Sequence, residues 1–310
     1  MKVFITGIAG FIGYHTALRY KEEGWEVSGI DNFNDYYDPQ LKYMRQNRLA
    51  EKNINVKDMD IRSAELPYFL DDIQPDLVIH LAASAGVRYS MDNAIEYIDN
   101  NIHGTQCVIN ACEKANVQNV IYASTSCVMH DNPLPWNEDE KLGPQLSPYG
   151  YSKATNEHQF NISNIPNAVC LRFFTVYGPW GRPDMALFTF TKQMLADETI
   201  TVYNNGDMKR DFTYIDDIVQ GIYLVSQNMK PRDTYCLGNG TQVPLMEFIT
   251  EIERNLGNGE SKKDFQPRHP ADAKETWSDT TKIQQLGYSA TTPISVGIKN
   301  FIDWYMEYYN

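Results

Sequence analysis

Eight residues near the start constrain the chain most. Thr6-Gly7-Ile8-Ala9-Gly10-Phe11-Ile12-Gly13 follows a run of apolar and β-branched residues and opens a stretch of helical periodicity. The glycines are spaced G-x-x-G-x-x-G. Gly7 suits a tight strand-to-helix turn, Gly10 lets backbone approach a pyrophosphate, and Gly13 allows close helix–strand packing. The helix N-terminus beyond it offers N–H groups and a partial positive charge, which is how backbone alone binds phosphate. Phe11 and Ile12 lie in that first turn.

The acid ending the second apolar run is Asp31, followed by Asn32. A carboxylate there accepts both ribose hydroxyls and repels a 2′-phosphate, so the expected cofactor is NAD rather than NADP. Asp60 and Ile61, after the third run, are expected to reach the adenine. Leu81, Ala82 and Ala83, after the fourth, are expected to line the cofactor ribose.

Short apolar runs at residues 1–6, 25–30, 55–58, 76–80, 119–123 and 168–173 read as strands. Helical stretches at 11–23, 93–115 and 149–162 fall between them. Such alternation predicts an α/β fold, a Rossmann-like doubly wound parallel sheet with its ligand at the carboxyl ends of the strands. Beyond residue 174 the pattern loosens into helices near 186–196, 215–228, 245–256 and 296–308, with short strands near 200–203 and 234–237. This reads as a smaller α/β substrate-binding lobe. The expected division is 1–172 with 212–232 for the cofactor, and 173–211 with 233–310 for the substrate.

The 310 residues carry 27 Lys+Arg against 40 Asp+Glu, a net charge of −13, which argues against nucleic acid as a partner. No run of about 18 apolar residues exists, so no membrane span is expected. The five cysteines (107, 112, 127, 170, 236) form no C-x-x-C pair and fit reduced thiols in a cytoplasmic protein. No His/Cys/Asp cluster has metal-ligand spacing, so no metal is expected.

Tyr149 and Lys153 stand at i and i+4, on one helical face. A phenol titrates near 10, too high for a base at neutral pH, and a neighbouring ammonium together with a nicotinamide cation favours phenolate. Lys153 can also hold the nicotinamide ribose. Tyr151 has Thr155 at i+4 and is a decoy. Upstream, Ser124-Thr125-Ser126 puts three hydroxyls at the end of the fifth strand, where one can share the substrate proton with Tyr149.

With these motifs in place, the chain resembles the extended short-chain dehydrogenase/reductases, the NAD-dependent sugar-nucleotide epimerases and dehydratases, over nearly its whole length. The motifs are T-G-x-x-G-F-I-G, His80-Leu-Ala-Ala83, Asn101-x-x-Gly-Thr105, the hydroxyl cluster, Y-x-x-x-K, Arg172-Phe-Phe-Thr-Val-Tyr-Gly-Pro179 and Arg210-Asp-Phe-Thr-Tyr-Ile-Asp-Asp217. Within that group it is most similar to UDP-glucuronate 4-epimerases, through Ala85-Gly-Val-Arg-Tyr-Ser90, Trp180-Gly-Arg-Pro-Asp-Met-Ala186 and Met208–Ile215. The resemblance implies an NAD-dependent isomerase that oxidises C4 of a UDP-sugar, lets the 4-keto sugar rotate, and reduces its other face. It places Thr125 at the catalytic hydroxyl with Ser126 beside it, and Asn101 among the cofactor residues. Arg182 is the expected cation for a glucuronate carboxylate, assisted by Thr175, with Arg88 a second candidate. Arg210 matches the residue on the diphosphate and Asp272 the one on a ribose hydroxyl. A homodimer through residues 93–115 and 149–162 is also implied.

The family's S-V-Y-G reads Cys127-Val128-Met129-His130 here, and Ala271 precedes Asp272 where Gly is usual. The alternatives are a UDP-glucose/UDP-galactose 4-epimerase, a UDP-glucuronate decarboxylase, and a non-catalytic NAD-binding protein. The acid that decarboxylases and dehydratases carry after the catalytic Thr is Ser126 here.

Overall fold

The computed structural model describes residues 1–309. In chain order its elements are β1 (Lys2–Thr6), α1 (Phe11–Glu22), β2 (Glu26–Asp31), α2 (Gln40–Glu51), β3 (Asn55–Asp58), α3 (Leu66–Ile73) and β4 (Leu77–His80). Then come α4 (Val87–Asp92), α5 (Ala94–Tyr97), a π-helical segment (Ile98–His103), α6 (Gly104–Lys114), β5 (Asn119–Thr125), α7 (Pro148–Ile162) and β6 (Asn167–Phe173). The remainder is β7 (Thr175–Tyr177), α8 (Ala186–Leu195), β8 (Ile200–Tyr203), β9 (Lys209–Arg210), β10 (Phe212–Tyr214), α9 (Ile215–Gln227), β11 (Thr234–Leu237), β12 (Val243–Pro244), α10 (Leu245–Leu256), β13 (Lys263–Gln266), α11 (Thr281–Gln284) and α12 (Ile294–Tyr309).

Seven strands form one parallel sheet in the order β11-β6-β5-β4-β1-β2-β3, and the expected doubly wound α/β fold is what the chain adopts. The alternation along β1 explains the two layers. Val3 and Ile5 enter the core shared with α1, α2 and α9, while Phe4 enters the opposite core beneath α3, α6 and α7. All three side chains are fully buried, as both faces of the sheet are covered.

Three features differ from expectation. The strand at Thr234–Leu237 was expected in the smaller lobe but pairs with β6 as the edge of the main sheet. Only four residues long and following the Pro231 loop, it reads in sequence like the short strands around it. The helix expected over 93–115 is interrupted, because residues 98–103 widen into a π-turn. Helices α2 and α3 also stand in stretches left unassigned from sequence; polar residues dominate the outer face of α2 and Pro67 sits in the first turn of α3. Outside the main sheet lie α8, α10 and α12 with three two-stranded pairings, β10-β7, β12-β9 and β13-β8. Phe212 and Phe248 stack there with centroids 4.0 Å apart.

Candidate functional site

The glycine loop is tight enough to exclude side chains. Gly7 has φ +71°, and a Cβ on it would lie 2.8 Å from the Ala82 backbone nitrogen. A Cβ on Gly13 would lie 2.1 Å from the Gly7 carbonyl oxygen, so α1 can seat on the loop only with glycine there. Gly10 is the N-cap of α1 and no side chain caps that end, which leaves the first-turn amides around Phe11 and Ile12 for a ligand. The loop and uncapped helix end fit a dinucleotide diphosphate.

Asp31 ends β2 with its side chain buried, accepting from Ala9 N at 3.1 Å and Phe33 N at 3.0 Å. Burial pushes its carboxyl up, against the pull of Lys42. Each oxygen keeps acceptor capacity for a ribose hydroxyl. Asn32 donates to Asp60 at 2.9 Å. Asp60 is clamped by Arg62 through Nε and Nη2, both at 2.8 Å, and that hydrogen bonding holds its carboxyl down at about 2. Asp60 is therefore a tether for the loop after β3, with Ile61 buried behind it against Gly104. Leu81, Ala82 and Ala83 run beside Gly7 at the end of β4, where Ala82 N donates to Thr6 Oγ1 at 3.2 Å.

Asn101 lies in the π-turn with its side chain committed to protein. It accepts from Ser84 N at 2.8 Å and donates to Ser84 O and Ser152 Oγ, both at 2.9 Å. It positions the backbone after β4 and the face of α7 that carries Lys153. π-turns recur at functional sites for such reasons.

Helix α7 begins at Ser147, whose hydroxyl accepts from Gly150 N at 3.1 Å, with Pro148 in the first turn. That start sets Tyr149 near Thr125 at the end of β5, whose hydroxyl favours the phenolate. Burial pushes the Tyr149 phenol up to about 12, and Arg182 is the cation that pulls it down. The Lys153 ammonium, expected to share that task, donates to Ala123 O at 2.9 Å, and burial lowers it to about 8. Ser126 is buried in the 3₁₀ turn following Thr125, and Tyr151 faces solvent.

Arg182 is held by Asp184, from Nε at 3.0 Å and Nη2 at 2.5 Å, and also donates to Ala85 O. It lines a small cavity with Thr175, Phe11, Met185, Phe248 and Phe301. The other substrate candidates form a second cluster. Arg88 donates to Asp272 at 2.7 Å and lies over the Tyr203 ring, 3.8 Å from its centroid. Arg210 is tied to the carbonyls of Lys209, Ala273 and Lys274, and burial lowers it while Asp272 supports its charge.

Three structural residues escaped sequence reasoning. Arg45, fully buried on α2, donates to Ala9 O at 2.9 Å and Trp180 O at 2.5 Å, and so joins the glycine loop to the segment bearing Arg182. Tyr36 and Asp184 escaped too, since contacts between positions 148 residues apart leave no local pattern.

A model of the NAD dependent epimerase/dehydratase family matches residues 3–238. Protein CapI of Staphylococcus aureus is 40% identical, covering 100% of this chain and 99% of its own. UDP-glucuronate 4-epimerase 3 of Arabidopsis thaliana is 38% identical over 99% of this chain and 77% of its own. The crystal structure of UDP-glucuronic acid 4-epimerase from Bacillus cereus, in complex with UDP-glucuronic acid and NAD, superposes with TM-score 0.92 at 35% identity, covering 99% of each chain. The glycine cradle, the acid ending β2 and the Tyr149–Thr125 pair are thus found in a chain that belongs to the NAD dependent epimerase/dehydratase family.

Proposed function

We propose that the protein interconverts UDP-glucuronate and UDP-galacturonate by epimerisation at C4. The family is NAD dependent, and NAD is the cofactor. The observation that carries the substrate reading is the cavity that Arg182 shares with Thr175, a cation and a hydroxyl for a carboxylate, with the Arg182 charge favouring the Tyr149 phenolate. UDP-glucuronate 4-epimerases related over nearly the whole chain support it.

When bound, NAD accepts hydride from C4 and returns it. Gly7, Gly10 and Gly13 with the first turn of α1 would hold its diphosphate, Asp31 its adenosine ribose and Lys153 its nicotinamide ribose. Tyr149 removes the C4 hydroxyl proton and later restores one, with Thr125 sharing it and Ser126 beside them. Lys153, already near 8 and fixed to Ala123 O, supplies positive charge in a dry site. Arg182 with Thr175 takes the sugar carboxylate, while Arg88, Arg210 and Asp272 take the nucleotide portion. A 4-keto glucuronate is a β-keto acid, so holding the carboxylate also restrains loss of CO2.

We also propose the lobe division 1–172 with 212–232 and 173–211 with 233–310, with Thr234–Leu237 reassigned to the cofactor lobe on its pairing. We infer a homodimer through the segments 93–115 and 149–162, where Ile95, Ile98, Tyr151 and Ile162 are exposed. No described helix is long and apolar enough to cross a membrane, and five free cysteines support a cytoplasmic site.

Incubation with UDP-glucuronate and separation of products tests the function. UDP-galacturonate is the expected product. Conversion of UDP-glucose to UDP-galactose alone overturns the substrate, and CO2 with a UDP-pentose makes the enzyme a decarboxylase.

A further inference from the structure

Arg182 is not a free cation. Asp184 takes its Nε and Nη2 edge, Ala85 O takes another Nη2 donor, and Tyr36 donates to the same Asp184 oxygen at 3.0 Å. Arg182 and Asp184 are each largely screened from water, with side chains 23% and 27% exposed. A guanidinium has five N–H donors, so among the described residues these bonds leave the Nη1 edge for a ligand. Tyr36 comes from the loop directly after Asp31 and spans back to the segment after β7.

We propose that Asp184, steadied by Tyr36, is a positioning residue that neutralises Arg182 and weakens its hold on the substrate carboxylate enough for the sugar to turn over. The inference rests on the UDP-glucuronate reading above. Epimerisation requires the ring to present both faces of C4, and the carboxylate on the adjacent carbon must leave its first position for that to happen. An uncompensated cation in a dry pocket would grip the carboxylate in the ground state. Such binding deepens the well from which rotation starts and costs turnover. The acid is thus a built-in competitor for the cation. The bidentate pair fixes the direction of the guanidinium, and only one edge faces the ligand.

The test compares the NAD-loaded protein with Asp184→Asn, which keeps shape and an acceptor oxygen but removes the charge. Calorimetry measures the Kd for UDP-glucuronate and UDP-glucose, and turnover is measured with each. The expected result is UDP-glucuronate binding about tenfold tighter, since the interaction of close charges in a partly buried site is large. Its kcat falls by a similar factor, and UDP-glucose binding stays within about twofold. Tyr36→Phe removes the hydroxyl that steadies Asp184, loosens its hold on Arg182, and tightens UDP-glucuronate binding by about threefold, in the same direction as Asp184→Asn. UDP-glucuronate bound equally or more weakly by Asp184→Asn overturns the proposal, as does a parallel shift for both sugars, which marks a scaffold contact. A wild type that binds both sugars but turns over only UDP-glucose overturns the functional reading, while the binding comparison still decides the role of Asp184.

Discussion

Glu157 accepts from both Nε and Nη2 of Arg172, at 3.1 and 2.9 Å, inside the core between α7 and β6. Ser124 Oγ adds a third donor at 2.5 Å, so the pair braces the strand end that carries Thr125. Removing one partner strands the other charge without solvent. Arg172→Met is expected to cost about 3–5 kcal/mol of stability, read by chemical denaturation. A loss below 1 kcal/mol would contradict this role.

Gly13→Ala is expected to abolish NAD binding in a protein that remains folded. The added methyl would lie 2.1 Å from the Gly7 carbonyl, so the glycine loop must move off α1. Fluorescence titration should show at least about a hundredfold loss of affinity, since the diphosphate cradle depends on that seat. The far-ultraviolet circular dichroism should stay unchanged.

Acid should destabilise the protein below neutrality because of two histidines, His80 buried and His15 half-buried. His15 is lowered to about 4 and His80 to about 3, each chiefly by burial. Between those values and about 6.5 the unfolded chain binds protons that the folded chain refuses, so stability rises with pH across that window and is lost on acidification. Two protons are expected in the slope between about pH 4 and 6.5, and His15→Gln should remove about one. An unchanged slope in that variant would remove His15 from the explanation.

Tyr149→Phe is expected to lower kcat by about 10²–10⁴, the usual range for a lost general base. The acidic limb of the pH profile carries a sharper test. Arg182 favours the phenolate, so its removal leaves the phenol pKa higher. The limb in Arg182→Leu should therefore move to higher pH, measured on UDP-glucose so that loss of a carboxylate contact does not enter. A limb that stays in place would mean that Arg182 exerts no field at Tyr149.

Ile95→Asp with Ile162→Asp should convert a dimer to a monomer, seen by light scattering as a halved mass. Both side chains are exposed, at 77% and 84%, so neither change should disturb the core. Wild type that is monomeric at micromolar concentration would overturn the dimer outright.

Much of the cofactor lobe was readable because its signals are local. Gly7, Gly10 and Gly13 lie within seven consecutive residues, and Tyr149 and Lys153 are one helical turn apart, so their spacing alone implies a shared face. Most strands of the parallel sheet, buried on both sides, read as apolar runs; Asn55–Asp58 at the sheet edge does not. Long-range partnerships were not readable. Nothing near Arg182 in the chain announces Tyr36, and nothing near Lys153 says that its ammonium turns to Ala123 O. The π-turn at 98–103 also left no pattern, because its apolar residues keep an almost helical rhythm while Asn101 is turned to meet Ser84 and Ser152.

The edge strand β11 changes how the molecule must be assembled. Its four residues complete the cofactor sheet only after the chain has left that sheet, built β7 to β10 and returned through α9. Until residue 237 is available, β6 keeps one open ladder edge, of the kind that recruits foreign strands. A fragment cut at residue 172 would carry the glycine loop, Tyr149 and Lys153, yet end in that unprotected edge. The two lobes therefore cannot be synthesised, truncated or exchanged as independent modules.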